Sequence, residues 1–227
     1  MSLVDEEELS EEEKEELYEK KLRKIDSQEE TIDILKALIV VSLAFGIATS
    51  NLSAPAILGG FIVSFLTLGI GFVFHELCHK WVAQKLGYNA AFVAFDQMLL
   101  LALMMSFLGF VFAAPGAVMI SHEVDEESQG KISAAGVTGN LIVAGIFLLI
   151  ALFTPNTLIS AIAAYGILLN AWIGMFNMIP VGPFDGRKIA SWNKGIYALI
   201  ALAGIGYLYL FFGGVLSGIG AVTPISP

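Results

Sequence analysis

Residues 56–74, AILGGFIVSFLTLGIGFVF, form a nearly unbroken apolar run that leads directly into His75-Glu76-Leu77-Cys78-His79. About 20 apolar residues are enough for a helix to cross the hydrocarbon core of a bilayer. At about 100° per residue, positions i and i+4 of a helix return to within roughly 40° of each other. His75 and His79 can therefore point two imidazoles at one metal ion, the His-Glu-x-x-His pattern. Glu76 lies about 100° round from His75 and about 60° from His79. That is beside the metal rather than on it, where a general base for a metal-activated water belongs. A metal-binding signature thus sits on a helix built for lipid.

The rest of the composition agrees with that address. Of the 227 residues 56% are hydrophobic and only 15% charged, and the mean hydropathy is +0.77. Soluble domains carry about 25% charged residues. The formal charge of −9 is local: residues 1–36 hold 14 of the 21 acidic and 6 of the 12 basic side chains, and the remainder is near neutral. No basic patch interleaved with aromatics is present, which leaves nucleic acid without a docking surface. The single cysteine, Cys78, excludes an internal disulfide framework and a cysteine-type zinc ribbon. The acidic start does not read as a cleavable signal peptide.

The chain divides into two regions: an acidic, helical, cytoplasmic head over residues 1–33 and a membrane-embedded domain over 34–227. In the head, Ser10-x-x-Glu13 fits a capping box, and Glu16–Lys20 and Glu19–Arg23 are favourable i,i+4 pairs. Residues 34–49 form a first span and 51–55 a turn. The second span begins near Ala56, runs through the histidine pair and stops at Gly87. Residues 88–97 lean towards strand. Residues 98–120 are apolar but broken at Ala113-Ala114-Pro115-Gly116, and 121–131 form a polar loop. Further spans cover 132–153, 158–179 and 196–218. The expected fold is an all-α polytopic membrane protein of five to six transmembrane helices.

Orientation decides what 98–120 does. If it crosses, Asp185 lies about 30 Å from His79 on the other membrane face, and Arg187, Lys188 and Lys194 defy the positive-inside rule. If it dips in and returns, all 12 Lys and Arg fall on the cytoplasmic side, and His75, His79 and Asp185 share one depth. Irregular backbone at membrane depth is allowed where protein or a wet cavity lines it. The re-entrant reading is preferred.

Two histidines do not complete a catalytic zinc site, which takes three protein ligands and leaves a fourth position open. Glu76, Asp96 and Asp185 are the acidic residues in or beside spans, where a carboxylate is costly and by default functional. With these in place, the chain resembles the site-2 protease family of intramembrane zinc metalloproteases. Three motifs carry the likeness: His75-Glu76-x-x-His79, Ala135-Gly136-x-x-x-Asn140, and Asn177-x-x-Pro180-x-x-Pro183-x-Asp185-Gly186.

The resemblance implies one zinc ion held by His75, His79 and Asp185, with Glu76 as general base. It implies a catalytic role for Asn177 near the substrate carbonyl, and a packing or substrate-facing role for Asn140 beside Gly136. It also implies strands at the membrane edge, here 88–96 and 116–121 with Pro115-Gly116 at the turn, that receive an unwound transmembrane substrate. Val137 stands where the family usually has proline, and Phe184-Asp185-Gly186-Arg187 replaces the usual Leu-Asp-Gly-Gly; neither change removes a ligand. The expected location is the cell membrane, with a multi-pass chain and a cytoplasmic N-terminus. A catalytically silent scaffold of the same fold, or a zinc hydrolase of lipid-modified or small peptides, are the other readings; an intact Glu76 argues against the scaffold.

Overall fold

The computed structural model describes residue 10 and residues 27–111, 115–120, 123–154 and 157–214. The capping box and ion pairs of the acidic head lie outside the described residues, as does the far end of the last span.

Helix α1 (Ser27–Ala48) carries the final acidic turns straight into the first span. It ends in a tight turn in which Asn51 and Leu52 take left-handed backbone, with φ of 46° and 60°. Ser50 Oγ accepts from the Leu52 N–H at 3.2 Å and holds that turn. Pro55 then sits in the first turn of α2 (Ala54–Ser64), where a missing N–H costs nothing. A π-helical turn at Phe65–Gly69 joins α2 to α3 (Ile70–Lys85), so 54–85 is one continuous rod. Gly87, at φ 94°, turns the chain away from it.

The next three elements decide how 98–120 runs. Strand β1 (Ala90–Ala94) leads into a short helix α4 (Asp96–Ser106), and β2 (Gly116–Ile120) returns to pair antiparallel with β1. Eleven residues of helix rise about 16 Å, roughly half a bilayer core. The segment returns to the level at which it entered. The register runs from Ala90↔Ile120 to Ala94↔Gly116.

Helix α5 (Glu126–Phe153) is the centre of the bundle and packs on α3, α6 (Thr157–Asn177) and α7 (Asp185–Trp192); α8 (Lys194–Phe212) lies against α6. Among the described residues five rods are long and apolar enough to cross a membrane. Their outward faces expose large apolar side chains such as Ile39, Leu58, Ile146, Leu158 and Leu202, which suits lipid and not water. The protein is therefore a polytopic helical membrane protein with a small two-stranded sheet.

Residues 126–131, expected as loop, are instead the first turns of α5. Asp125 is the N-cap, its carboxylate accepting the Ser128 N–H at 3.0 Å, and Glu126 and Glu127 favour the positive helix end. That N-cap also accepts from Tyr88 Oη at 3.0 Å. The Ser128 and Tyr88 bonds lower the Asp125 carboxyl to about 2.

Candidate metal centre

The two histidines come from the α3 face that packs on α5, and the carboxylate from the first residue of α7. After Asn177 the chain breaks at Pro180, turns through Gly182 at φ 65°, and restarts as helix at Asp185. Gly186 makes this restart fit, because a Cβ there would run into the Met178 backbone. Tyr197 Oη donates to that same Met178 carbonyl at 2.8 Å and ties the turn to α8.

His75 Nε2 lies 2.9 Å from His79 Nε2, and the two lie 3.4 and 3.2 Å from Asp185 Oδ2. In a tetrahedral zinc site with bonds of about 2.05 Å, neighbouring ligand atoms stand about 3.3 Å apart. The observed triangle matches that edge within a few tenths of an ångström, with all three residues buried.

Proton positions support the same conclusion. His79 Nδ1 faces the Ile132 carbonyl at 2.8 Å; a carbonyl only accepts, so Nδ1 carries the hydrogen and Nε2 a lone pair. His75 Nδ1 meets Asn140 Oδ1 at 2.7 Å and donates to it, leaving its Nε2 lone pair inward as well. In the neutral rings both Nε2 lone pairs therefore face the Asp185 carboxylate, and three electron-pair donors converge. A bound cation satisfies all three donors at once.

Gly136 explains how α5 approaches so closely. A Cβ at this position would collide with His79 Cε1 and Nε2 and would stand 2.9 Å from His75 Cε1. Asn140, one turn further on, is wholly buried. It accepts from His75, and its amide donates to the Gly71 carbonyl at 3.1 Å and to Asn170 Oδ1 at 3.3 Å. Of the packing and substrate-facing roles expected for Asn140, the contacts are those of packing: Gly136 gives clearance behind the imidazoles and Asn140 is an orienting acceptor.

Glu76 leaves α3 beside the histidine pair, about 60° round from His79. Its Oε2 accepts from the Val118 N–H of β2 at 3.2 Å. The direction of that N–H is set by the register. Phe92 and Ala94 turn their N–H groups away from β2, donating to Glu30 and Asp33 of α1 at 2.9 Å each. In an antiparallel pair, residues opposite outward-facing ones also face outward. Val118, opposite Phe92, therefore presents its N–H on the outer edge of β2, towards Glu76. Pro115 and Gly116 start that strand; the Pro115 carbonyl accepts from Phe95 N–H at 3.0 Å, and a Cβ at Gly116 would strike the Phe92 ring. Asn177 is half-buried at the end of α6. Cys78 lies against Gly139, away from the ligand triangle.

Several contributors were not anticipated from the sequence: the Ile132 carbonyl, Glu30, Asp33 and Asn170. Glu30 bridges three elements, since it also binds Lys80 of α3 at 2.5 Å. Asn170 carried a readable signal, as a lone amide in the apolar stretch Leu168-Leu169-Asn170-Ala171-Trp172.

A buried His-His-carboxylate site in an apolar helical bundle defines the molecule as a membrane metalloprotein. Comparison with known proteins carries this further. The chain is 38% identical over 190 residues to the Methanocaldococcus jannaschii protein named "Putative zinc metalloprotease MJ0611", covering 82% of this chain and 96% of that one. It is 30% identical over 128 residues to "Zinc metalloprotease MJ0392" of the same organism, covering 56% of this chain and 33% of the relative. No family model and no solved structure matches the chain. On the first of these relatives the chain belongs to the zinc metalloprotease family, and zinc is the metal its ligand triangle fits.

Proposed function

We propose that this zinc metalloprotease is an intramembrane endopeptidase of the site-2 protease type, cutting peptide bonds in or near transmembrane segments of other membrane proteins. The observation that carries the reading is the position of the His75–His79–Asp185 triangle. It is buried among apolar helices, with Glu76 turned to the outer edge of β2.

Zinc, when bound, acidifies a water and polarises the scissile carbonyl. Glu76 takes the water proton and delivers it to the leaving amine. Asn177, at the helix break before Asp185, is the proposed donor to the developing oxyanion. A transmembrane helix hides its carbonyls in i→i−4 bonds, so the substrate must unwind before it can be cut. The outer edge of β2, with the Val118 N–H and the strand start at Pro115-Gly116, offers replacement partners by strand addition. The opposite edge of the sheet is closed by Glu30 and Asp33, so a substrate strand has one place to add, and Glu76 is there. Because 98–120 returns to its starting level, the basic residues of the loops gather on one side, which supports a cytoplasmic N-terminus in the cell membrane.

The test compares wild type with Glu76→Gln on a transmembrane reporter peptide, with zinc content measured on both. Wild type is expected to cleave, and the variant to keep its zinc and lose about 10²–10⁴-fold in rate. Equal cleavage by both removes Glu76 from the chemistry. Cleavage of short soluble peptides alone would favour the small-peptide hydrolase.

A further inference from the structure

Asn170 stands in the middle of α6, fully buried, and its side chain makes three hydrogen bonds. Its amide nitrogen donates to the Thr67 carbonyl at 3.2 Å and to the Gly166 carbonyl at 2.9 Å. Both are acceptors only, so they fix which end of the Asn170 amide is nitrogen. Its oxygen must then face Asn140 and accept from it at 3.3 Å. This fixes Asn140 in turn: nitrogen towards Asn170 and Gly71, oxygen towards His75. His75 Nδ1 is thereby compelled to donate, and the Nε2 lone pair is left for the metal.

The Thr67 carbonyl lies within the π-helical turn at Phe65–Gly69 and accepts from the Ile70 N–H as well as from Asn170. In that turn the Ile70 N–H reaches back to the Phe65 carbonyl, one residue further than in an α-helix. The added residue resets the rotational phase of everything C-terminal to it, including His75 and His79. Gly71 then lets α6 come close, since a Cβ there would overlap Asn170 Oδ1. Asn170 thus holds both the turn that aims the metal helix and the amide that orients its first ligand.

The geometry points to Asn170 as a positioning residue for the zinc site, acting through Asn140 on the tautomer and orientation of His75. This rests on the metal site alone, and its readouts are independent of peptide cleavage, so it fails or stands separately from the protease reading.

The experiment measures zinc affinity of the full detergent-solubilised chain by chelator competition, and the visible spectrum of its cobalt form, for wild type and Asn170→Ala. Outer partners of metal-bound histidines typically contribute about 10–100-fold to metal affinity. A loss of about 10-fold and an altered cobalt spectrum are expected. Ile167→Ala, equally buried one turn away on α6 and outside the network, controls for packing. It should lower the melting temperature and leave affinity and spectrum unchanged. Adding Asn170→Ala to Asn140→Ala should cost little more than Asn140→Ala alone. If Asn170→Ala does not fold, Asn170→Leu is measured instead. It keeps about the same side-chain shape and removes both the acceptor for Asn140 and the bonds donated to Thr67 and Gly166. Unchanged zinc affinity in the folded Asn170 variant, or an equal loss in Ile167→Ala, would overturn the assignment.

Discussion

The back and the front of the metal site are built differently. Behind the imidazoles, polar atoms are matched in series: Ile132 fixes His79, Asn140 fixes His75, Asn170 bonds Asn140, and Gly136 and Gly71 admit the neighbouring helices. In front, among the described residues, Glu76 rests on one backbone N–H of an edge strand at 3.2 Å. A saturated network is rigid, because each bond lost leaves a buried group unpaired at about 1–3 kcal/mol. A single bond to a strand edge exchanges readily with another partner. The lesson is a division of labour: the helices hold the metal, and the sheet margin is left for what reacts.

That division is open to attack from the largest effect downwards. Asp185→Ala removes one of three ligands and should weaken zinc by at least about 100-fold, the upper end of what supporting residues alone provide. Elemental analysis after purification reads it, and retained zinc would dissolve the whole site. Gly136→Ala puts a methyl group into both imidazoles. Overpacking of about 1–3 kcal/mol should appear as roughly 5- to 150-fold weaker zinc binding in chelator competition.

At the front the signs change. Val118→Pro deletes the outer N–H of β2 without breaking a ladder bond, since Val118 sits opposite Phe92 in a pair that faces outward. Zinc content should hold while KM for a transmembrane reporter rises about 5-fold, the equivalent of one hydrogen bond near 1 kcal/mol. An unchanged KM would move substrate docking away from this edge. Ala117→Pro, which does break the ladder, should instead lower the melting temperature.

The smallest effect lies furthest from the metal. Asp125 has a folded carboxyl depressed to about 2 against an ordinary value of 3.8. Its contribution is therefore complete above about pH 4 and lost as the pH falls towards 2. Asp125→Asn should lower the melting temperature slightly at pH 7, and the gap from wild type should close near pH 2.

Much of this was legible along the chain. The histidine pair could be read because helical periodicity places positions 75 and 79 on one face; Asp185 was one of three carboxylates in or beside spans, and the resemblance to the site-2 proteases singled it out. The return of 98–120 could be inferred from charge placement, and the pairing of β1 with β2 agrees with it. The start of α5 was misplaced by six residues, because Glu126–Lys131 is polar enough to pass for loop until Asp125 is recognised as a cap.

What the sequence determined by itself is the chemistry: which side chains can hold zinc, which one can move a proton, and that apolar helices surround them. Local periodicity and composition suffice for the histidine pair, Glu76 and the apolar helices; the choice of Asp185 rests on the family resemblance. Only the tertiary structure decided the supporting cast. The partners of Asn140, the carbonyl that orients His79, and the carboxylates that close one edge of the sheet lie between 30 and 69 residues from the groups they serve. No pattern within a helix or strand encodes such pairings; they arise when packing brings buried donors and acceptors together and leaving them unpaired is too costly.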